Sequence, residues 1–357
     1  MDTIIGVISD DQQNNEGIIR KAAEILRQGG LVAFPTETVY GLGGNAFDAS
    51  AAGKIYAAKG RPSDNPLIVH ISQISDLYNL SDEVSDTALL LAKHFWPGPL
   101  TMILSKNNRV PYSVTGGLDT VAIRLPSHEV ARRLIAESGV YVAAPSANLS
   151  GRPSPTTAAH VIEDLSGRID MIIDNGDIAI GLESTIVDLT GAVPVILRPG
   201  YITIEMLQSV LPEVQLDPAL MSGVAGDVRP RAPGMKYRHY APKAELTILE
   251  GGADDVAATL RRLYDENIEK GLRVGVMASD ELCREYSGEL IINIGSRADS
   301  ESQAHNLFKA LRRFDELGAD IIFAEGFSQD GLGQALMNRM LKAAGHRVID
   351  CSSGKET

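Results

Sequence analysis

Residues 29–70 read GGLVAFPTETVYGLGGNAFDASAAGKIYAAKGRPSDNPLIVH. Two apolar runs, 31–34 and 67–71, bracket the stretch, and neither alternates apolar with polar residues. Each therefore predicts a strand buried on both faces, as in a sheet covered by helices. Directly after the first run come Pro35, Thr36, Glu37, Thr38 and Tyr40, then Gly41, Gly43 and Gly44, where backbone can turn tightly or approach a ligand closely. A helical segment then delivers Lys59 and Arg61 just ahead of Pro62. Lysine offers a mobile point charge and arginine a planar fork of donors, the two geometries that phosphate and carboxylate groups require. Hydroxyls, glycines and cations gathered between two buried strands describe a site for a small, phosphate-bearing molecule.

Working outward, the same alternation continues. A helix is expected over 16–28, with Ile18, Ala22, Ile25 and Leu26 on one face and a stop at Gly29-Gly30. Another is expected over 86–94, ending at Trp96-Pro97-Gly98-Pro99, followed by paired strands 100–104 and 120–125. Helix 128–138, strand 140–144, a loop 145–155 and strands 171–173 and 185–189 complete a mixed α/β domain over residues 1–210. Residues 211–243 lose the periodicity, become rich in Pro and Gly, and end in the basic run Arg229 to Lys243, which predicts a linker. Beyond it, strands 246–249, 274–278, 290–294 and 321–323 alternate with helices, one of them opened by a capping box at Ser300 and Gln303. That pattern describes a smaller, Rossmann-like parallel-sheet domain over 244–351.

Composition narrows the function. The chain has 357 residues, 44% hydrophobic and 22% charged, which suits two globular domains with real cores. No apolar run approaches the ~20 residues of a membrane span, and the first residues, MDTIIGVISDDQQ, interrupt any signal-like core, so a cytoplasmic protein is expected. Cys283 and Cys351 stand alone, without metal-ligand spacing. A formal net charge of −13 disfavours a protein that holds nucleic acid by bulk electrostatics. There is no GxxxxGK[ST] loop, no HExxH and no GxSxG, and GLGGNA lacks the third glycine of a dinucleotide fingerprint.

Taken singly, each candidate has a plain structural reading. The glycines suit a strand-to-helix turn, Lys59 and Arg61 a solvated helix end, His70 a hydrogen-bonded core residue, and Ser146 and Asn148 a turn bonded to its own backbone. Glu183, Ser184 and Arg198 suit a structural hydrogen-bond network. Their joint occurrence in one ordered set points elsewhere.

FPTETVYGLG, KGRPSDNPLIVHI, WPGPLT, GLDTVAIRLP, APSANLSGRPSPT, ESTIVD, ILRPG and APGMKYRHYAP follow one another along the chain. This series resembles the threonylcarbamoyl-AMP synthase family of the two-domain type, a YrdC-like domain joined by a linker to a C-terminal domain. The resemblance implies that L-threonine, bicarbonate or CO2, and ATP combine to L-threonylcarbamoyladenylate and pyrophosphate, and that the product passes to the machinery that modifies tRNA. It implies catalytic roles for Lys59 and Arg61. It also implies L-threonine binding by Thr38, His70, Arg124, Ala144 and Ser184, and ATP binding by Arg61, Asn65, Thr120, Ser146, Ser154, Arg198 and Tyr237. Magnesium is expected with the triphosphate, held by phosphate oxygens and water, with no protein metal site. Because Tyr237 lies in the linker, the resemblance further implies that the linker folds back as a lid. The competing expectation is an RNA-binding module of the same fold that makes no adenylate.

Overall fold

The computed structural model describes residues 2–222, 230–234, 239–352 and 355–356, which divide into two compact units. The first comprises Met1–Ser150 with Ser154–Tyr237, and the second Gly151–Pro153 with Arg238–Thr357.

In the first unit the strands are β1 (Ile4–Val7), β2 (Val32–Phe34), β3 (Gly41–Asn45), β4 (Ile68–His70), β5 (Leu100–Ser105) and β6 (Thr120–Arg124). They are followed by β7 (Val142–Ala144), β8 (Met171–Asp174), β9 (Thr185–Asp188), β10 (Val195–Arg198) and β11 (Gln215–Leu216). They form one mixed sheet in the order β1-β8-β2-β3-β7-β4-β6-β5-β9-β10-β11. Both apolar runs of the opening stretch are strands, and every residue of β2 and β4 is buried, as unbroken apolar runs require.

Helices Gln12–Arg27 and Glu129–Ser138 cover one face at its β8-β2-β3-β7 end, burying Ala22, Leu26, Val32, Phe34, Leu134, Val142 and Met171 in one cluster. The first helix starts where the Asp11 carboxylate accepts from the Asn14 amide. The larger cluster, with Leu42, Val69, Met102, Ile123 and Val187, lies on the opposite face, as the two-residue alternation of side chains dictates. Further along the first face is a smaller apolar patch of Ile68, Ile103, Ala122, Ile186 and Leu197, against which Ala232 packs.

The glycine segment departs from expectation. Gly41 to Asn45 is not a strand-to-helix turn but a strand, pairing with β2 on one side and β7 on the other. The glycines serve packing: a Cβ on Gly43 would lie 2.6 Å from Val142 Cγ1 and 2.8 Å from Phe34 Cε1. Residues 211–243, read as linker, contain β11, which adds to the sheet edge beside β10.

The second unit holds a six-stranded sheet from β12 (Glu245–Glu250), β13 (Val274–Ala278), β14 (Ile291–Asn293), β15 (Ile321–Glu325), β16 (Val348–Asp350) and β17 (Lys355–Glu356). Their order is β14-β13-β15-β12-β16-β17, and all pairs are parallel except the last, which makes this the expected Rossmann-like layer. The helix Ser300–Leu317 is capped not by Ser300 and Gln303 but by Asp299, which accepts from the Ser302 amide, while Gln303 donates to the Ser296 carbonyl. An aspartate one residue earlier is the stronger cap, being charged and beside the helix positive end.

Candidate active site

Strand register gathers the polar residues of the first unit. His70 of β4 pairs with Arg124 of β6, and Met102 of β5 with Ile123, so Thr101 falls beside Arg124 and on its face. Thr101 in turn pairs with Ile186 of β9, and Ile186 with Arg198 of β10. Alternation alone would send Arg198 to the far face with Ile196. A β-bulge between Ile196 and Arg198 re-aims it to the same face as Arg124.

Arg124 is 4% exposed. Its Nη1 donates to Thr38 Oγ1 at 2.9 Å, and its Nη2 lies 2.8 Å from Glu37 Oε1. The ion pair is off the line of a hydrogen bond: Nε and Nη2 of Arg124 and both Glu37 oxygens are buried without a hydrogen-bond partner. Burial opposes the Glu37 charge, but the Arg124 guanidinium overcomes it and holds the carboxyl below the usual range. Thr36 fixes the turn that presents Thr38, its Oγ1 bonding Thr38 Oγ1 at 2.9 Å and donating to the Val39 carbonyl at 2.6 Å. Burial, reinforced by the Arg124 charge, pushes His70 down to about 3, so its imidazole is neutral. Nδ1 faces the Ile68 carbonyl at 3.2 Å, and the ring meets Phe34 edge-on at 6.1 Å.

Ser184, fully buried, shares a 2.8 Å hydrogen bond with Thr101, and Arg198 donates to its carbonyl at 2.9 Å and to its hydroxyl at 3.1 Å. Ser154 donates to Glu183, the neighbour of Ser184. Helix Ala49–Lys59 ends at Gly60 in the left-handed region, which turns the chain so that Lys59 and Arg61 point inward; they are 2% and 8% exposed, not a solvated helix end. Lys59 Nζ donates to the carbonyls of Ser146, at 2.5 Å, and of Asn148. Arg61 donates to the carbonyls of Asn65 and Pro66 at 3.3 and 3.0 Å.

Sequence-derived candidates therefore meet directly in three groups: Thr38 with Arg124 and His70, Ser184 with Arg198, and Lys59 with Ser146. Ala144 closes β7, buried at 3% exposure. Thr120 starts the strand that Arg124 ends, four residues away, which is about 13 Å of extended chain. Tyr237 lies outside the described residues. Glu37 and Thr101 also line this cluster, although the sequence motifs that contain them imply no role for either. Their signal is positional: Glu37 adjoins Thr38 in FPTETVYGLG, and Thr101 closes WPGPLT. Among the described residues no three His, Cys, Asp or Glu side chains group as metal ligands. A buried guanidinium with Nε unpartnered, next to a hydroxyl and a neutral imidazole, is fitted to receive a carboxylate.

A family model for Sua5, YciO and YrdC proteins, described as telomere recombination, matches residues 24–200. A second, described as the threonylcarbamoyl-AMP synthase C-terminal domain, matches residues 202–345. A threonylcarbamoyl-AMP synthase of Pyrococcus abyssi is 50% identical over 96% of this chain and 98% of its own. The chain belongs to the threonylcarbamoyl-AMP synthase family. A Bacillus subtilis threonylcarbamoyl-AMP synthase is 49% identical over 96% of this chain and 97% of its own. The crystal structure of P. abyssi Sua5 complexed with L-threonine superposes with a TM-score of 0.91 at 48% identity, covering 98% of this chain and 99% of that one. Every threonylcarbamoyl-AMP synthase site candidate from Thr38 to Arg198 lies within the first matched model, and Tyr237 within the second.

Proposed function

We propose that this chain joins L-threonine, bicarbonate or CO2, and ATP into L-threonylcarbamoyladenylate with release of pyrophosphate, in the cytoplasm, for threonylcarbamoyl modification of tRNA. The observation that carries the reading is the buried Arg124 guanidinium, which sits against Thr38, is ion-paired through Nη2 to Glu37, and keeps Nε without a hydrogen-bond partner. Burial makes such a donor demanding of an anion, and a planar fork is matched to the α-carboxylate of an amino acid. In this reading Thr38, His70, the Ala144 backbone and Ser184 complete the amino-acid side. The neutral His70 adds no second positive charge beside Arg124, and the deprotonated threonine amine adds CO2, releasing its proton to water, to become a carbamate.

The carbamate oxygen then attacks the α-phosphorus of ATP, forming a carbamoyl–phosphate mixed anhydride as the bond to pyrophosphate breaks. Both partners are anionic, so positioning and charge neutralisation supply the acceleration. Arg61 and Arg198, with Asn65, Thr120, Ser146 and Ser154, form the nucleotide side, and Lys59 holds the loop that carries Ser146. Magnesium would arrive on the triphosphate, ligated by its oxygens and water, and would neutralise the leaving pyrophosphate. Support for a covering segment comes from residues 230–234, where Ala232 is buried against the patch beside Arg124 and the Pro233 carbonyl accepts from Arg198 at 3.5 Å.

The test is pyrophosphate release from ATP with threonine and bicarbonate omitted in turn. Each omission is expected to reduce release to background. Release indifferent to either omission would overturn the reading.

A further inference from the structure

Ser184, immediately ahead of β9, has its backbone fixed from several sides. The Arg198 guanidinium donates to the Ser184 carbonyl through Nε at 3.1 Å and through Nη2 at 2.9 Å. Gly200 lies so close to the same peptide that a Cβ there would sit 2.4 Å from the Thr185 nitrogen and 2.7 Å from the Ser184 carbonyl carbon. Thr185 Oγ1 donates to the Ile202 carbonyl at 2.7 Å. What stays adjustable at Ser184 is the direction of its hydroxyl proton.

Two groups bear on that hydroxyl. Arg198 Nη2 lies 3.1 Å from Ser184 Oγ and can only donate, so it occupies a lone pair and takes no proton. Thr101 Oγ1 lies 2.8 Å from the same oxygen, and both residues are fully buried. The pair carries two hydroxyl protons, and the hydrogen bond between them uses one. Among the described residues no other acceptor receives a hydrogen bond from either hydroxyl. One buried O–H is therefore left to a ligand, because a donor shut away from water without an acceptor is costly.

The acceptor that suits this proton is an anion. Accepting from a guanidinium polarises the Ser184 O–H and makes it the stronger donor of the two hydroxyls. With an anion at hand the bonds run in one direction, from Thr101 to Ser184 and from Ser184 to the anion. Strand register puts Thr101 beside Arg124 and on its face, and Ser184 is bonded to Arg198, so the series Arg124, Thr101, Ser184, Arg198 is continuous. Under the assignment in Proposed function, on which this inference rests, Arg124 takes the α-carboxylate of threonine and Arg198 the nucleotide. The anion that comes into being between them is the carbamate.

We propose that Thr101 is a positioning residue for adenylate formation: it donates to Ser184 and thereby fixes the Ser184 hydroxyl as a donor to one oxygen of the threonine carbamate while the other attacks phosphorus. Charge reaches this place only once CO2 has been added. Loss of the Thr101 hydroxyl therefore weakens turnover and spares the binding of threonine itself.

The experiment measures Thr101→Val, Thr101→Ser, Ser184→Ala and the Thr101→Val/Ser184→Ala double variant of the full-length protein. Its readouts are steady-state pyrophosphate release and calorimetric binding of L-threonine in bicarbonate-free buffer. For Thr101→Val, kcat is expected to fall about tenfold, with the threonine Kd within about twofold of the parent. Thr101→Ser, which keeps the hydroxyl, is expected to recover most of the loss. Because Thr101 acts through Ser184, adding Thr101→Val to Ser184→Ala is expected to cost nothing further. An unchanged kcat, a threonine Kd that weakens as much as kcat falls, a Thr101→Ser variant no better than Thr101→Val, or additive losses in the double variant overturns the proposal. Where Ser184→Ala leaves no measurable turnover, the split between kcat and threonine Kd decides. Should Thr101→Val not fold, Thr101→Ala takes its place under the same criteria. A parent protein whose pyrophosphate release ignores threonine and bicarbonate refutes instead the function proposed above, so the two failures are distinguishable.

Discussion

His70 links the chemistry of one residue to the stability of its domain. Its folded value of about 3 lies below the ordinary histidine range near 6.5, because burial and the Arg124 charge both oppose protonation. Between these values the unfolded chain binds a proton that the folded chain refuses. The contribution to stability is therefore complete above pH 6.5 and is lost as pH falls, by about 1.4 kcal/mol per pH unit. Urea unfolding of the parent and of His70→Asn at pH 7 and pH 5 measures this: the parent loses more stability on acidification, and the variant lacks that one-proton share. Equal losses in the two proteins would place the titration elsewhere. At this scale the sequence was informative about which residues matter and silent about what they touch. Thr38, Arg124, Ser184 and Arg198 were named from motifs, yet nothing in the sequence indicates that Glu37 sits 2.8 Å from Arg124 or that Thr101 bonds Ser184. Those contacts depend on strand register, which a single sequence does not encode locally. The bulge that turns Arg198 to the site face is equally hidden.

The elements that were easiest to foresee are those whose local composition and burial agree. Apolar runs 31–34, 67–71 and 100–104 became strands β2, β4 and β5, and the first helix stopped just before Gly29-Gly30 as expected. β3 was missed because Gly41-Leu-Gly-Gly has almost no strand propensity of its own; it is a strand because two neighbours pair with it and need room. The Phe34 ring lies across Gly41 and Gly43 and then meets His70, so the glycines let an aromatic ring set the imidazole. Gly43→Ala would push a methyl into Val142 and Phe34, and an overpacked strand of this kind typically loses about 1–3 kcal/mol. Val142→Ala opens a small void at the same place. The two substitutions share one space, so the double variant is expected to be more stable than the sum of the single losses, by roughly 0.5 kcal/mol or more. Strict additivity in urea unfolding would show that Gly43 is not needed for space.

For the molecule as a whole, two domains and their sheet types follow from the order of apolar runs, whereas the fate of the segment between them does not. Pro, Gly and scattered charge give no periodicity from which docking could be foreseen. Yet residues 230–234 are seated by three kinds of contact. Ala232 is fully buried in the apolar patch beside the site, the Pro233 carbonyl accepts from Arg198, and Arg231 bonds Asp188 at 3.1 Å and Asp217 at 2.5 Å. If this segment shields a labile carbonic–phosphoric anhydride from water, its displacement should uncouple the reaction and not merely slow it. Ala232→Glu places a carboxylate against Ile68, Ile103 and Ile186, which burial does not tolerate, so the segment lifts. The expected result is about a tenfold fall in pyrophosphate release together with a lower yield of threonylcarbamoyladenylate per pyrophosphate, because water now competes for the anhydride. The melting temperature should change by only a few degrees, since the sheet and its two main clusters do not include the substituted residue. A variant that folds, releases pyrophosphate more slowly and still converts every turnover into intermediate would assign residues 230–234 to nucleotide binding alone, and not to the exclusion of water.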